Sequence, residues 1–242
     1  MKIAVIGGTG LIGSQVVENL NAAGHRAAPH SLSTGVDVVT GEGVDRAVQG
    51  AEAVVNLTNS PTFDDASPAF FQASMDNLLA AARQAGTEHF VILSIVGVDR
   101  VPELDYYRAK LLQEELLRRG PVPYSIVRAT QFMEFMEAAM SWTADGDSVR
   151  LPATPIQPIA AKDVAAAVAD VAVGAPLNGI RNIGGPDVFP LDELGRLTLS
   201  RKGDGRTVVT DPTAGMFAAV KGDVLTDKEA HLAPTRYTDW LA

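Results

Sequence analysis

Cysteine is absent from the 242 residues, which excludes disulfides, thiolate catalysis and cysteine-ligated zinc or iron–sulfur clusters. Histidine is scarce. His25, His30, His89 and His231 are scattered without ligand spacing, so no metal site is expected, and His25 and His89, each just before an apolar run, read as solvated surface groups. Basic residues are outnumbered, with 20 Lys and Arg against 29 Asp and Glu and a net charge of -9. Phosphate neutralisation needs clustered Lys and Arg, so no nucleic-acid partner is expected. No apolar run reaches the roughly 18 residues of a membrane span, and no charged segment with an apolar stretch behind it precedes the first strand. A cytoplasmic protein with no membrane partner and a small-molecule substrate is the expectation. The adjacent acids Asp64 and Asp65, and Glu114 and Glu115, point to different sides of their elements and read as solvated charges.

The 46% hydrophobic content supplies a full core without staples. Short apolar runs, KIAVIGG, HRAAPHS, VDVVTG, AEAVVNLT, HFVILSIVG, YSIVRAT and GIRNIGG, alternate with amphipathic stretches such as DNLLAAARQAG and AKLLQEELLRRG. That rhythm predicts an α/β fold, a doubly wound parallel sheet of Rossmann type. The whole chain, 1–242, reads as a single domain. Beyond about residue 130 the rhythm loosens into QFMEFMEAAMSW, LPATPIQPI and the helices KDVAAAVADVAVG and PLDELGRLTLSRKG. Residues of about 130–242 are therefore expected to form a small C-terminal substrate-covering part. The oligomeric state is not set by any of these patterns.

MKIAVIGGTGLIG runs an apolar strand into a glycine turn that opens the helix SQVVENLNAAG, with Gly24 as its stop. Gly7, Gly10 and Gly13 fit G-x-x-G-x-x-G, while Gly8, Gly10 and Gly13 fit G-x-G-x-x-G. Such a turn places backbone N–H groups, here through Leu11 and Ile12, against a pyrophosphate at the helix N-terminus. One glycine makes the tight turn, one admits the phosphate, and Gly13 lets helix and strand pack closely. The end of HRAAPHS should lie near the adenosine ribose. There an acid would select NAD; His30, Ser31, Ser33 and Thr34 stand there instead, with Arg26 near, so NADP(H) is favoured and NAD(H) is the alternative.

Ser94 ends the strand HFVILS, and Tyr106 and Lys110 lie four apart at the start of a helix, so both project from one face. An ammonium near a phenol favours phenolate, so Lys110 is expected to lower the Tyr106 pKa and make it a usable proton donor to a carbonyl oxygen that receives hydride. Ser94 would hold that oxygen. Tyr107 is the competing tyrosine.

IGGTGLIG, the strand-end Ser94 and YYRAK resemble the atypical short-chain dehydrogenase/reductases of the NmrA-like branch. The stretches NLTNSP, DNLLAAA with Asn77, VRATQF and PIAAKDVAAA agree with that branch, so the similarity spans essentially the whole chain. The resemblance implies nicotinamide coenzyme binding, with Ser94 as carbonyl-orienting residue, Tyr106 as acid and Lys110 as ribose-binding pKa modulator. It also implies coenzyme contacts from Asn59 or Ser60, and nicotinamide or substrate contacts from the VRATQF loop, here Gln131 and Phe132, with Val96 and Phe135 beside them. The basic residue that many NADP-binding members carry after the second strand is missing. The resulting expectation is an NADP(H)-preferring reductase of a carbonyl or quinone on an apolar substrate. Phe132, Met133, Phe135, Met136, Met140 and Trp142 would suit a flat ring of polycyclic aromatic, polyketide type. The rivals are a non-catalytic NAD(P)-binding redox sensor and an NAD-dependent epimerase or dehydratase.

Overall fold

A computed structural model describes residues 1–62 and 64–242 of the chain. Its first half alternates strand and helix: β1 (Lys2–Ile6), α1 (Leu11–Ala22), β2 (Arg26–His30), α2 (Val44–Val48), β3 (Ala53–Asn56), α3 (Ser67–Ala85), β4 (His89–Ile95), α4 (Asp105–Arg119) and β5 (Tyr124–Ala129). After α5 (Met136–Trp142) come the short strands β6 (Ala144–Asp145), β7 (Ser148–Leu151) and β8 (Pro155–Ile156), then α6 (Ala161–Val173) and β9 (Gly179–Gly184). The chain closes with β10 (Phe189–Pro190), α7 (Leu191–Lys202), β11 (Thr207–Thr210), α8 (Phe217–Val220), β12 (His231–Leu232) and α9 (Tyr237–Trp240). Seven strands form a parallel sheet in the order β12-β9-β5-β4-β3-β1-β2, the doubly wound architecture that the sequence rhythm predicts.

The expected strand at VDVVTG does not form. Residues 36–41 fold into a loop because the Asp37 carboxylate accepts the N–H groups of Val39 and Thr40, and Gly41 N–H closes on the Asp37 carbonyl. A side chain that satisfies the following amides competes with a strand ladder. Val36 and Val38 are nonetheless buried. NLTNSP consequently follows the third strand, and VRATQF the fifth.

The chain divides into two compact units. Unit 1 comprises Met1–Ser94, Asp105–Arg128 and Val164–Arg181; unit 2 comprises Ile95–Leu104, Ala129–Asp163 and Asn182–Ala242. In unit 1 β1, β3 and β4 read as near-continuous apolar runs because both faces are covered, whereas the edge strand β2 is partly exposed. Ile6, Val54, Phe90, Ile92 and Ile126 pack with Met75, Leu78 and Ala82 of α3 and Leu117 of α4. Parallel register aligns Ile6 with Asn56 and Asn56 with Ile92, so β1 and β3 finish side by side while β4 runs on past them to Ile95, with Ser94 next to its end. In unit 2, β7 is flanked by β6 and β11, and Val149, Leu151, Leu191 and Leu194 are buried.

Candidate active site

The glycines of the first turn do different work. Gly7 has φ +78°, and a Cβ there would lie 2.8 Å from the Leu57 carbonyl carbon. A Cβ at Gly8 would come within 2.6 Å of Pro29, and at Gly13 within 2.1 Å of the Gly7 oxygen. These three are demanded by packing of the fold on itself. Gly10 is not: a Cβ there would meet only the Gly7 oxygen, at 3.4 Å. Gly10 is also the N-cap of α1, whose start no side chain caps, which leaves first-turn amides at exposed Leu11 and buried Ile12 facing outward from the helix end. An anion at that N-terminus would be favoured by those donors and by the helix dipole.

The second strand ends in the same turn. The His30 carbonyl accepts the N–H groups of Gly7 and Gly8, at 2.8 and 3.2 Å. Burial, with the Lys2 ammonium adding, holds the His30 imidazole below its ordinary pKa, so the ring is neutral at pH 7. Ser31 donates its N–H to Thr34 Oγ1, and its hydroxyl lies 2.8 Å from that of Ser33. The Arg46 guanidinium reaches to 3.4 Å from the position of a Cβ at Gly43 and 4.0 Å from one at Gly35. A basic group therefore stands near the loop after β2, supplied from α2 rather than from the sequence that follows Ser31.

Between β3 and α3 the buried Asn56 accepts the N–H and hydroxyl of Thr58, at 3.0 and 2.7 Å. Ser60 Oγ accepts the Ser67 hydroxyl and the Thr62 N–H. These anchors leave Asn59 exposed at the tip, where its Oδ1 accepts the Tyr106 hydroxyl at 2.6 Å. The side chain of Ser60 is thus taken up by the loop, whereas that of Asn59 is turned to Tyr106.

Ser94 is 3% exposed, and its Oγ has no hydrogen-bond partner among the described residues. Lys110 is equally buried; its Nζ donates to the Leu93 carbonyl at 2.7 Å and to Gln113 Oε1, and sits 5.0 Å from the Phe71 ring centroid. The carbonyl contact fixes the ammonium to the residue just before Ser94. Tyr106 stands one turn earlier on α4, half-buried, while Tyr107 is buried at 4% exposure. The three predicted residues therefore share the ends of β4 and α4.

The electrostatics reverse one expectation. Burial pushes the Tyr106 phenol up to about 12, partly offset by the Asn59 bond. Burial likewise pushes Lys110 down to about 8, with the Glu114 carboxylate opposing the shift. Desolvation outweighs the attraction of lysine for phenolate, so Tyr106 is a firmly protonated donor rather than one poised near neutrality. Two further expectations are corrected. Glu114 is not solvated: fully buried, it takes Nε and NH2 of Arg128 at 2.8 and 2.7 Å, and Arg118 at 2.8 Å. His89 is not a surface group either; it is 2% exposed and paired with Ser125 Oγ at 2.8 Å. Sequence reading missed Gln113, Glu114 and Arg128. The spacing of Lys110, Gln113 and Glu114 at i, i+3 and i+4 is the signal that places all three on one helix face.

In unit 2, Val96 is buried and its N–H donates to the Ala129 carbonyl. Thr130 Oγ1, both amide atoms of Gln131 and Asn182 Oδ1 are buried without a partner among the described residues. Phe132 bridges to Ile159, and Phe135 meets Trp142 edge-on at 5.0 Å. Met133, Met136 and Met140 are 0, 3 and 2% exposed, and so pack as core rather than as pocket lining.

A family model described as NAD(P)H-binding matches residues 7–173. The chain belongs to this NAD(P)H-binding family, in agreement with the resemblance of its motifs to the NmrA-like, atypical short-chain dehydrogenase/reductases. A (4-alkanoyl-5-oxo-2,5-dihydrofuran-3-yl)methyl phosphate reductase of Streptomyces griseus subsp. griseus is 33% identical over 153 residues, covering 58% of this chain and 50% of that protein. A chloroplastic divinyl chlorophyllide a 8-vinyl-reductase of Cucumis sativus is 32% identical over 129 residues, 48% of this chain and 30% of that protein. The chain thus spans half or less of the length of these curated relatives. Among solved structures, an NADPH-dependent quinone oxidoreductase of Escherichia coli complexed with NADPH superposes with a TM-score of 0.77 at 18% identity, covering 100% of this chain and 98% of that one. A dTDP-4-dehydrorhamnose reductase of Bacillus anthracis in complex with NADP gives 0.79 at 16% identity, covering 99% and 96%. At these identities the likeness is one of fold.

For an NAD(P)H-binding protein the open Gly10 has a direct meaning. It is the one glycine of the G-x-x-G-x-x-G frame whose missing side chain the protein itself does not require, so a dinucleotide phosphate fits the space it leaves at the uncapped start of α1. Gly7 and Gly13 shape the turn, and the N–H groups of Leu11 and Ile12 are the donors at its end. No helix among the described residues is long and apolar enough to cross a membrane, and no group of His, Cys, Asp or Glu among them is arranged to hold a metal ion.

Proposed function

We propose that the protein is an NADP(H)-preferring reductase of a carbonyl or quinone on an apolar substrate, with Ser94, Tyr106 and Lys110 as its catalytic residues. The observation that carries the reading is the bond from Lys110 Nζ to the Leu93 carbonyl, beside a buried Ser94 hydroxyl with no hydrogen-bond partner among the described residues and one helical turn from a phenol that burial keeps protonated. When bound, the reduced coenzyme supplies a hydride. Tyr106 donates the proton that the resulting oxyanion needs, and at neutral pH it holds that proton in nearly every molecule. Ser94 Oγ, already desolvated, orients the oxygen by a hydrogen bond without first giving up another one. Lys110, protonated for the most part below pH 8, contributes a positive charge and a donor to the coenzyme ribose.

Preference for NADP(H) is supported by the absence of an acid after β2 and by the Arg46 guanidinium near that loop. His30, held neutral, contributes hydrogen bonding there rather than charge. The unpartnered atoms of Thr130 and Gln131, with Phe132 and Phe135 beside them in sequence, support a substrate with an apolar, aromatic polyketide-like body and a few polar groups. The named activities of the relatives, a furanone phosphate reductase and a vinyl reductase, agree with hydride transfer as the reaction class. Coenzyme oxidation followed by absorbance, with NADPH and NADH compared over ketones and quinones from one ring to several, tests the reading. NADPH oxidation that strengthens with ring number is expected. Tight NADPH binding with no oxidation by any of them would overturn it in favour of a redox sensor.

A further inference from the structure

Asn59 is exposed at the tip of a loop whose backbone is pinned on both sides, by Asn56 to Thr58 before it and by Ser60 to Thr62 and Ser67 after it. Its side chain alone is left to turn, and its Oδ1 takes the Tyr106 hydroxyl at 2.6 Å. An amide presents an acceptor and two donors from one carbon, so rotation about its last bond exchanges them. We propose that Asn59 is a positioning residue serving both protonation states of Tyr106: Oδ1 accepts from the neutral phenol, and Nδ2, rotated into place, donates to the phenolate left after proton transfer.

The chemical step rests on the reductase reading. With a bound reduced dinucleotide as the two-electron donor, itself oxidised, the carbonyl carbon would gain the new C–H bond and the C=O π pair would pass to oxygen. The Tyr106 O–H bond breaks as its proton goes to that oxygen, which leaves the negative charge on Tyr106. Burial opposes that charge, so a donor delivered at that moment lowers the barrier where the site is otherwise unfavourable. A hydrogen bond to an ion is about twice as strong as one between neutral groups; Asn59 therefore favours the phenolate on balance. The loop 57–62 carries no titratable side chain. On α4 the neighbours are Lys110 and the mutually paired Asp105 and Arg108; α3, packed against α4, carries Arg83 and also Asp76, which is bonded by Gln72.

Difluorotyrosine placed at position 106, whose phenol titrates lower than tyrosine, allows fluorine NMR to follow its ionisation in the protein without coenzyme or turnover. Asn59→Leu should make the phenol about tenfold less acidic, a rise of about one pH unit in its midpoint, and Asn59→Asp should raise it further because a carboxylate cannot donate and repels the phenolate. An Asn59→Leu midpoint equal to or below that of the unsubstituted protein would overturn the proposal. Should the leucine variant fail to fold, Asn59→Asp, close in size and polarity, carries the test, and an unshifted midpoint in it overturns the proposal equally. In turnover, Asn59→Leu should lower kcat. A midpoint order as expected, with no turnover in any form of the protein, would remove the reductase reading and leave the Asn59–Tyr106 coupling standing.

Discussion

Unit 1 and unit 2 treat buried polar groups differently. In unit 1 the carboxylate of Glu114 is met by two arginines, Nε2 of His89 by Ser125, Asn56 by Thr58, and Lys110 by a carbonyl and an amide; the scattered atoms Ser94 Oγ, His89 Nδ1 and the Gln113 amide nitrogen are the exceptions among the described residues. In unit 2 four buried polar atoms from three residues close in sequence or strand register, Thr130, Gln131 and Asn182, have no hydrogen-bond partner among the described residues. An unsatisfied buried polar atom costs about 1 to 3 kcal/mol, so a cluster of them is an expense that folding alone does not explain. Unit 1 scatters its open groups, with Gly10 and Ser94 among them; unit 2 engages Thr154, Gln157, Asp192 and Thr198 and gathers its unpartnered atoms around Thr130, Gln131 and Asn182.

The contrast can be attacked at its strongest point first. Tyr106→Phe keeps the ring and removes the proton, and turnover should fall by about 10² to 10⁴ with NADPH affinity unchanged. Stopped-flow reduction alongside calorimetric binding checks both halves of that statement, and Tyr107→Phe is the control. Next in size is Glu114→Gln, which leaves Arg128 buried beside a neutral partner. A loss of about 3 to 5 kcal/mol in denaturant unfolding is expected, the signature of a unit held by committed pairs. Gln131→Leu should act in the opposite direction. Exchanging two unengaged amide atoms for an apolar group of similar size should stabilise the fold by about 1 to 3 kcal/mol, while raising KM for substrate; a destabilised variant would break the comparison between the units.

A smaller effect sharpens the account of Lys110. Its pKa is about 8 in the fold against an ordinary 10.5, so between those values the unfolded chain binds more protons than the folded one. Stability should therefore rise with pH from about 8 upward as the cost of burying the ammonium disappears. Tyr106, raised to about 12 from 10.0, works against this above pH 10, which leaves pH 8 to 10 as the clean window. Denaturation midpoints across that window should climb more steeply for the unsubstituted protein than for Lys110→Met, and parallel curves would contradict the assignment.

What was legible in the sequence follows the same division. Ser94, Tyr106 and Lys110 could be placed because strand ends and helix periodicity fix where side chains emerge, and the glycine spacing marked the turn. The spacing did not separate Gly10 from Gly7, Gly8 and Gly13, since only the positions of Leu57, Pro29 and the Gly7 oxygen show which glycines packing demands. VDVVTG misled because its alternation with apolar residues ignored the capping capacity of Asp37. The direction of the Tyr106 shift was misjudged because charge proximity is visible in a spacing, whereas depth of burial is a tertiary property. Glu114 and Arg128 lie 14 residues apart on different elements, and nothing local announces their pairing.

The central claim is that unit 1 holds a dinucleotide phosphate at the one glycine of its G-x-x-G-x-x-G turn that packing does not need. Calorimetric titration of NADPH into the unsubstituted protein and into Gly10→Val tests it, with Gly13→Ala as the comparison. The account predicts that Gly10→Val unfolds at nearly the same denaturant concentration as the unsubstituted protein and binds NADPH at least about 100-fold more weakly, while Gly13→Ala, whose Cβ would lie 2.1 Å from the Gly7 oxygen, loses stability. Unchanged NADPH affinity in a folded Gly10→Val protein would contradict it.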